Sequence, residues 1–63
     1  MMKTYWFAIS DVYSDYYGEE FFVEAENYKD AWEIARSVFK NEPLTCHGIV
    51  SEEFAEVMGY DTY

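Results

Sequence analysis

The chain has 63 residues, of which 51% are hydrophobic and 22% aromatic, and its 13 acidic and 4 basic side chains give a formal net charge of −9. The aromatic content excludes an intrinsically disordered acidic chain and indicates one compact domain covering residues 1–63. The charge opposes direct binding to nucleic acid or to anionic membranes, because both are negatively charged themselves. We therefore expect a partner with a basic surface.

The first two predicted elements are strands. Every second residue is apolar in two segments, as in half-buried strands. These segments are residues 4–12 (TYWFAISDV) and residues 20–26 (EFFVEAE). The segment between them contains Gly18 and several polar turn formers, which predicts an antiparallel hairpin with a wide connection. The apolar positions that share a face are Tyr5, Phe7 and Ile9 in the first strand and Phe21, Val23 and Ala25 in the second.

A helix follows the hairpin. Asn27 is a favourable N-cap, and Asp30 places a negative charge in the first turn, where it favours the helix. The apolar positions that come next have the spacing of an amphipathic helix, and Pro43 prevents its continuation. These apolar positions are Ala31, Ile34, Ala35, Val38 and Phe39.

The last third of the chain predicts one more strand and a short helix. Residues 44–50 (LTCHGIV) are apolar and partly β-branched, with Gly48 as a candidate bulge. Residues 52–58 have helical spacing and precede Gly59, although a continued strand is the alternative. We expect residues 60–63 to be a loose tail. The ββαβ order predicts an α+β fold, in which one helix packs on a three-stranded antiparallel sheet.

No catalytic or metal-binding pattern is present. Cys46 and His47 are adjacent, so on a strand they point to opposite faces and cannot form a nucleophile–base pair. One cysteine and one histidine fall short of the four ligands of a structural zinc site. No calcium-binding loop or phosphate-binding glycine loop occurs either. We expect no catalytic residue, no cofactor and no metal.

The candidate partner-binding residues are the acids and tyrosines of the hairpin. Tyrosine is enriched in interface hot spots, and loops often carry function, but these rings could instead cover the open face of the hairpin. Glu24 and Glu26 share a strand face, so their carboxylates would lie about 6.6–6.8 Å apart along the strand, comparable to successive phosphates of a nucleic-acid strand. The predicted site consists of Asp11, Asp15, Tyr16, Tyr17, Glu19, Glu20, Glu24 and Glu26.

A second acidic region is predicted from the later part of the chain. The alternative for both regions is that the charge serves solubility alone, although a domain of this size needs a net charge of only about 2–8 for that purpose. The second region consists of Glu42, Glu52, Glu53 and Glu56.

The stretch FFVEAENYKDAWEIARSVF, within residues 20–40, resembles a strand–cap–helix pattern of small phage and mobile-element proteins, including the DpnD/PcfM-like group. In size, acidity and ββαβ order the chain is also similar to small phage-encoded anti-CRISPR proteins that mimic DNA. The resemblance implies an inhibitor whose partner is a basic nucleic-acid-binding subunit of a CRISPR effector. We expect a monomer in the cytoplasm of a bacterial host. The alternative is an interaction module that uses an edge strand or an apolar patch at Trp6, Phe22 or Trp32.

Overall fold

The computed structural model describes residues 1–63 and confirms the predicted α+β class. β1 is the central strand of a three-stranded sheet, and β2 and β3 pair with it in antiparallel orientation on either side. Neither helix has the length and apolar composition that a membrane span requires. The elements in chain order are β1 (Lys3–Ile9), β2 (Glu20–Ala25), α1 (Tyr28–Val38), β3 (Leu44–Val50) and α2 (Glu52–Met58).

Both helices begin at side-chain caps, of which Asn27 was predicted. The Asn27 side chain accepts a hydrogen bond from the Asp30 backbone N–H at 2.9 Å, and the Ser51 hydroxyl accepts one from the Phe54 N–H at 3.1 Å. α2 ends at Gly59, whose φ of 68° lies in the left-handed region that glycine adopts without steric cost. The segment 52–58 is therefore a helix and not a continued strand.

The main core lies between α1 and the sheet. α1 presents Ala31 and Ala35 to the sheet, and their small side chains allow the helix to approach closely. Trp32 contacts Phe7 edge-on, with ring centroids 5.0 Å apart, and the Arg36 guanidinium lies 5.1 Å from the Trp32 ring. The sheet residues of this core are Tyr5, Phe7, Phe21, Val23 and Ala25.

The opposite face of the sheet is also covered, which the sequence did not predict. Phe22 is fully buried there, with its ring centroid 6.3 Å from Phe54 of α2 and 5.4 Å from Tyr60. Trp6 packs on Phe54 at 5.2 Å and is half buried. The domain therefore has three layers, and the expectation of an exposed apolar patch that includes Phe22 is wrong.

The C-terminal residues form a short pairing with β2 and are not a loose tail. Phe22 N–H donates to the Asp61 carbonyl at 2.8 Å, and Tyr63 N–H donates to the Phe22 carbonyl at 2.9 Å. Glu24 N–H donates to the Tyr63 carbonyl at 2.9 Å, so that Thr62 makes a parallel bridge to Phe22. We call residues 61–63 the C-terminal segment. It closes the outer edge of β2.

The predicted irregularity in β3 occurs at Gly48. Trp6 pairs with Gly48 whereas Phe7 pairs with Cys46, so His47 is an extra residue on β3. Gly48 has a φ of 109°, which other residues rarely adopt. A bulge at this position confirms the prediction.

Candidate functional site

The loop of residues 10–19, which joins β1 to β2, is closed at its neck by backbone hydrogen bonds. Ile9 N–H donates to the Glu19 carbonyl and Gly18 N–H donates to the Ile9 carbonyl, both at 3.0 Å. Gly18 has a φ of 91°, which glycine adopts readily. Glu19 N–H donates to the Tyr16 carbonyl at 3.0 Å. The chain therefore enters and leaves the loop in a defined geometry.

Ser14 organises the interior of the loop. Its N–H donates to the Asp11 carbonyl at 3.0 Å, and its own carbonyl accepts from Tyr17 N–H at 3.1 Å. Its hydroxyl oxygen accepts from Tyr16 N–H at 3.1 Å and donates to the Glu42 carboxylate. Glu42 precedes β3, so this bond ties the loop to a distant part of the chain. The loop is preorganised before any partner binds.

The three tyrosines of the loop keep much of their surface in solvent. Tyr13 is 92% exposed, and its backbone N–H donates to the Asp11 carboxylate at 2.9 Å. Tyr17 is 58% exposed. Tyr16 is half exposed and packs edge-on against Phe39, 5.6 Å away between centroids. The rings therefore do not cover the hairpin face, which α2 and the C-terminal segment cover instead.

Exposed carboxylates lie beside these rings. Asp11, Asp15 and Glu19 are all exposed, and Glu42 joins them through its bond to Ser14. The predicted second acidic region is therefore divided, because Glu42 belongs to this side of the molecule. We call the surface formed by Asp11, Tyr13, Asp15, Tyr16, Tyr17 and Glu19 the acid–tyrosine loop.

Glu20 has a structural role that its sequence position did not indicate. Its carboxylate accepts hydrogen bonds from the Trp6 indole N–H at 3.1 Å and from the Tyr60 hydroxyl at 3.0 Å. The hydrogen bond to Glu20 raises the pKa of Tyr60 above its usual 10.0, and desolvation and the negative charge of Glu20 act in the same direction. Glu20 thus links the end of the loop to the α2 layer, which leaves it less free for a partner.

Glu24 and Glu26 lie at the far end of β2. Glu24 lies five positions after Glu19, which corresponds to about 17 Å of extended strand. Glu24 lines an open depression of about 310 Å³ together with Glu52 and Glu56 of α2. Glu26 lies beyond the end of β2 and is exposed. Apart from Glu20, the predicted site residues therefore form two separate groups, one in the loop and one at Glu24 and Glu26, and not one surface.

The overall charge density of the molecule is close to that of one nucleic-acid strand. The longest dimension is 34 Å, over which the net charge of −9 amounts to about one charge per 3.8 Å. A single DNA strand carries one charge per roughly 3.4 Å and a duplex one per roughly 1.7 Å.

Comparison with protein-family models, with characterised proteins and with solved structures finds no match to this chain. The fold and the surface define the protein by class: a three-layered α+β domain that presents a preorganised loop of tyrosines and carboxylates. The roles assigned to its residues rest on their geometry and charge.

Proposed function

We propose that this protein is a non-catalytic inhibitor that mimics a nucleic-acid strand and occupies a basic nucleic-acid-binding groove on another protein. The acid–tyrosine loop is the surface that enters the groove. Its carboxylates take the place of phosphates, and its exposed rings take the place of bases. The observation that carries the proposal is the combination of this preorganised loop with a net charge of −9.

Preorganisation supports binding through the loop. A flexible loop would lose conformational entropy on binding, and fixing its side chains costs about 0.5–1.5 kcal/mol for each rotamer-rich residue. Here the neck and the Ser14 hydrogen bonds already hold the backbone. Tyr13 and Tyr17 present large rings with few rotatable bonds, which is the kind of side chain that dominates interface energetics.

The charge supports fast and salt-sensitive association. A strongly acidic surface and a groove lined by Lys and Arg attract each other over distances limited by the Debye length, about 8 Å at physiological salt. Such steering raises the association rate and weakens as salt is added. The affinity of the complex should therefore fall steadily from low to high salt.

The charge density and the rings favour a target that binds a single strand. Grooves of this kind combine basic side chains along the backbone path with aromatic side chains on which bases stack. The exposed Tyr13 and Tyr17 rings could stack in the same positions as bases. The resemblance to anti-CRISPR proteins makes the DNA-binding subunit of a CRISPR effector the first target to test, in the cytoplasm of a bacterial host.

The test compares two charge-reversal variants with equal changes in net charge. Asp15→Lys with Glu19→Lys alters the acid–tyrosine loop, whereas Glu33→Lys with Glu53→Lys alters exposed acids on the two helices. Each is added to purified CRISPR effector complexes, and binding of a fluorescent DNA target is measured by polarisation. Inhibition should weaken at least tenfold for the loop variant and little for the helix variant.

The contrary results are equally specific. Equal inhibition by the loop variant and the unaltered chain would mean that the loop is not the contact surface. Equal weakening by both variants would mean that net charge acts without a defined site. A Tyr13→Ala, Tyr17→Ala variant tests the rings separately, since it leaves the charge unchanged.

A further inference from the structure

The C-terminal segment contacts both faces of the sheet around the outer edge of β2. Its backbone forms hydrogen bonds with Phe22 and Glu24. The Tyr63 ring packs edge-on against Phe21 in the α1 layer, with ring centroids 5.7 Å apart. The ring of Tyr60, which precedes the segment, packs against Phe22 in the α2 layer at 5.4 Å. This part of the chain therefore encloses the edge of β2 from both sides.

A continuous series of aromatic rings connects Tyr63 with the acid–tyrosine loop. Phe21 lies 5.1 Å from Phe39 at the end of α1, and Phe39 lies 5.6 Å from Tyr16, in each case between ring centroids. Packed side chains leave few voids, so the loss of one ring is felt by its neighbours. Removal of the Tyr63 ring should therefore uncover Phe21 and loosen the support of Tyr16.

A hydrogen-bonded route reaches the loop at a different point. The Tyr60 hydroxyl donates to the Glu20 carboxylate at 3.0 Å. Glu20 begins β2 and directly follows Glu19, whose carbonyl accepts the Ile9 N–H at the neck of the loop. The docked chain end thus supports the neck through Glu20 and the interior of the loop through Tyr16.

The C-terminal segment itself has few contacts. Three backbone hydrogen bonds hold it, and its three residues are all exposed. Segments with few buried contacts open locally at a lower free energy than the unfolding of the whole domain. The segment should therefore undock while the rest of the domain stays folded, which gives the chain a docked and an undocked state.

We propose that Tyr60 and the C-terminal segment position the acid–tyrosine loop, so that undocking loosens the loop and weakens binding through it. The statement about binding rests on the proposed function, whereas the statement about the loop concerns this chain alone. Coupling between two sites is reciprocal, so a partner that binds the ordered loop also holds the segment docked. Tyr60 and Tyr63 are then positioning residues outside the predicted site.

Amide hydrogen exchange of the full chain, resolved by residue with NMR, tests the positioning without any partner. Tyr63→Ala should accelerate exchange in the loop about twofold to tenfold, the range that corresponds to the loss of one edge-on aromatic contact. Tyr63→Phe keeps the ring and should keep the protection. The hydrogen-bonded loop amides that report the effect belong to Ser14, Tyr17, Gly18 and Glu19.

The matched control is Tyr28→Ala, the same substitution at the start of α1. Tyr28 is 56% exposed and Tyr63 is 45% exposed, and each ring packs against a buried core ring. The aromatic contacts of Tyr28 are with Tyr5 and Trp32, not with the segment or the loop. Tyr28→Ala should therefore leave loop exchange unchanged, whereas a general loss of stability would affect both variants alike.

A second variant tests the hydrogen-bonded route. Tyr60→Phe removes the bond to Glu20 and keeps the ring on Phe22, so it should fold even if Tyr63→Ala does not. Far-ultraviolet circular dichroism verifies the fold of each variant. Tyr60→Phe should also accelerate loop exchange, most strongly at the neck.

Unchanged loop exchange in the folded variants of Tyr60 and Tyr63 would overturn the proposal, as would equal acceleration by Tyr28→Ala. The polarisation assay then tests the statement about binding, because Tyr63→Ala should inhibit less than Tyr63→Phe. Faster loop exchange with undiminished inhibition would overturn that statement. Faster loop exchange in a chain that inhibits no effector would refute the proposed function and still support the positioning role.

Discussion

Substitution of two adjacent phenylalanines tests whether both faces of the sheet are covered. Phe21 and Phe22 are neighbours on β2, so their side chains point to opposite faces. Phe21 is 2% exposed in the core under α1, and Phe22 is fully buried under α2 and the C-terminal segment. A one-sided sheet would bury Phe21 and leave Phe22 in solvent.

The three-layered structure predicts similar losses of stability for the two positions. Replacing a fully buried phenylalanine by alanine costs about 3–5 kcal/mol in unfolding free energy, through lost burial and the cavity left behind. A domain of this length has a total stability of roughly 3–9 kcal/mol. Either Phe21→Ala or Phe22→Ala should therefore bring the chain close to unfolding.

Urea unfolding, followed by circular dichroism, measures the loss of unfolding free energy. Where the alanine variant is too unstable to show a folded baseline, Phe→Leu at the same position replaces it. Each kcal/mol lost should lower the melting temperature by about 4–8 °C in a domain of this size. Tyr17→Ala is the control, because Tyr17 is 58% exposed. A cost below about 1 kcal/mol for Phe22→Ala, beside a full loss for Phe21→Ala, would refute the second covered face.

Three further predictions follow from single residues. The pKa of Tyr60 is raised in the folded state, so the Tyr60 hydroxyl stabilises the fold only while it is protonated. The unaltered chain should therefore be more stable than Tyr60→Phe below about pH 10, and this difference should disappear as pH rises through the folded pKa. Urea unfolding of both chains between about pH 8 and 11 measures the difference. Ser14→Ala should lower the unfolding free energy by about 1 kcal/mol, because it removes the two hydrogen bonds of the Ser14 hydroxyl. Amide hydrogen exchange should accelerate more in residues 10–19 than in the core, whereas equal acceleration in both would contradict the role given to Ser14. Gly48→Ala should lower the unfolding free energy by at least about 1 kcal/mol, because an alanine at a φ of 109° is strained. Steric overlap adds nothing, since an added Cβ meets no atom within 4 Å. A thermal melt measures the effect, and an unchanged melting temperature would contradict the bulge geometry.

Local signals were sufficient to predict the five elements, although the first strand ends at Ile9 and not at residue 12 as predicted. The Asn27 and Ser51 caps lie within three residues of the N–H groups they bond, so both helix starts can be predicted from adjacent sequence. The strands have short-range alternation, and the Gly48 bulge follows from one residue type. These features depend on neighbours along the chain.

The second covered face could not be predicted in the same way. Phe22 is buried by Phe54 and Tyr60, which lie more than thirty residues away along the chain. The C-terminal segment pairs with β2 through only a few residues, too few to produce a periodic pattern. The hydrogen bond from Tyr60 to Glu20 depends on that same docking.

In the candidate site, too, local features were predictable from the sequence and contacts between distant residues were not. The loop acids and tyrosines were predicted because the polar turn residues that surround them place them outside the strands. The grouping of Glu24 with Glu52 and Glu56 was not predicted, because it depends on how α2 lies on the sheet. Ser14 was missed as well, since its bond to Glu42 spans 28 residues.

The sheet separates two aromatic layers, and each layer contains one of the two tryptophans. Trp32 lies in the α1 layer, whereas Trp6 lies in the α2 layer with its indole N–H bonded to Glu20. Trp32→Phe and Trp6→Phe variants would each leave one tryptophan, whose fluorescence reports on a single layer. Stopped-flow refolding of the pair would then time the docking of α1 and of α2 separately, without any external label.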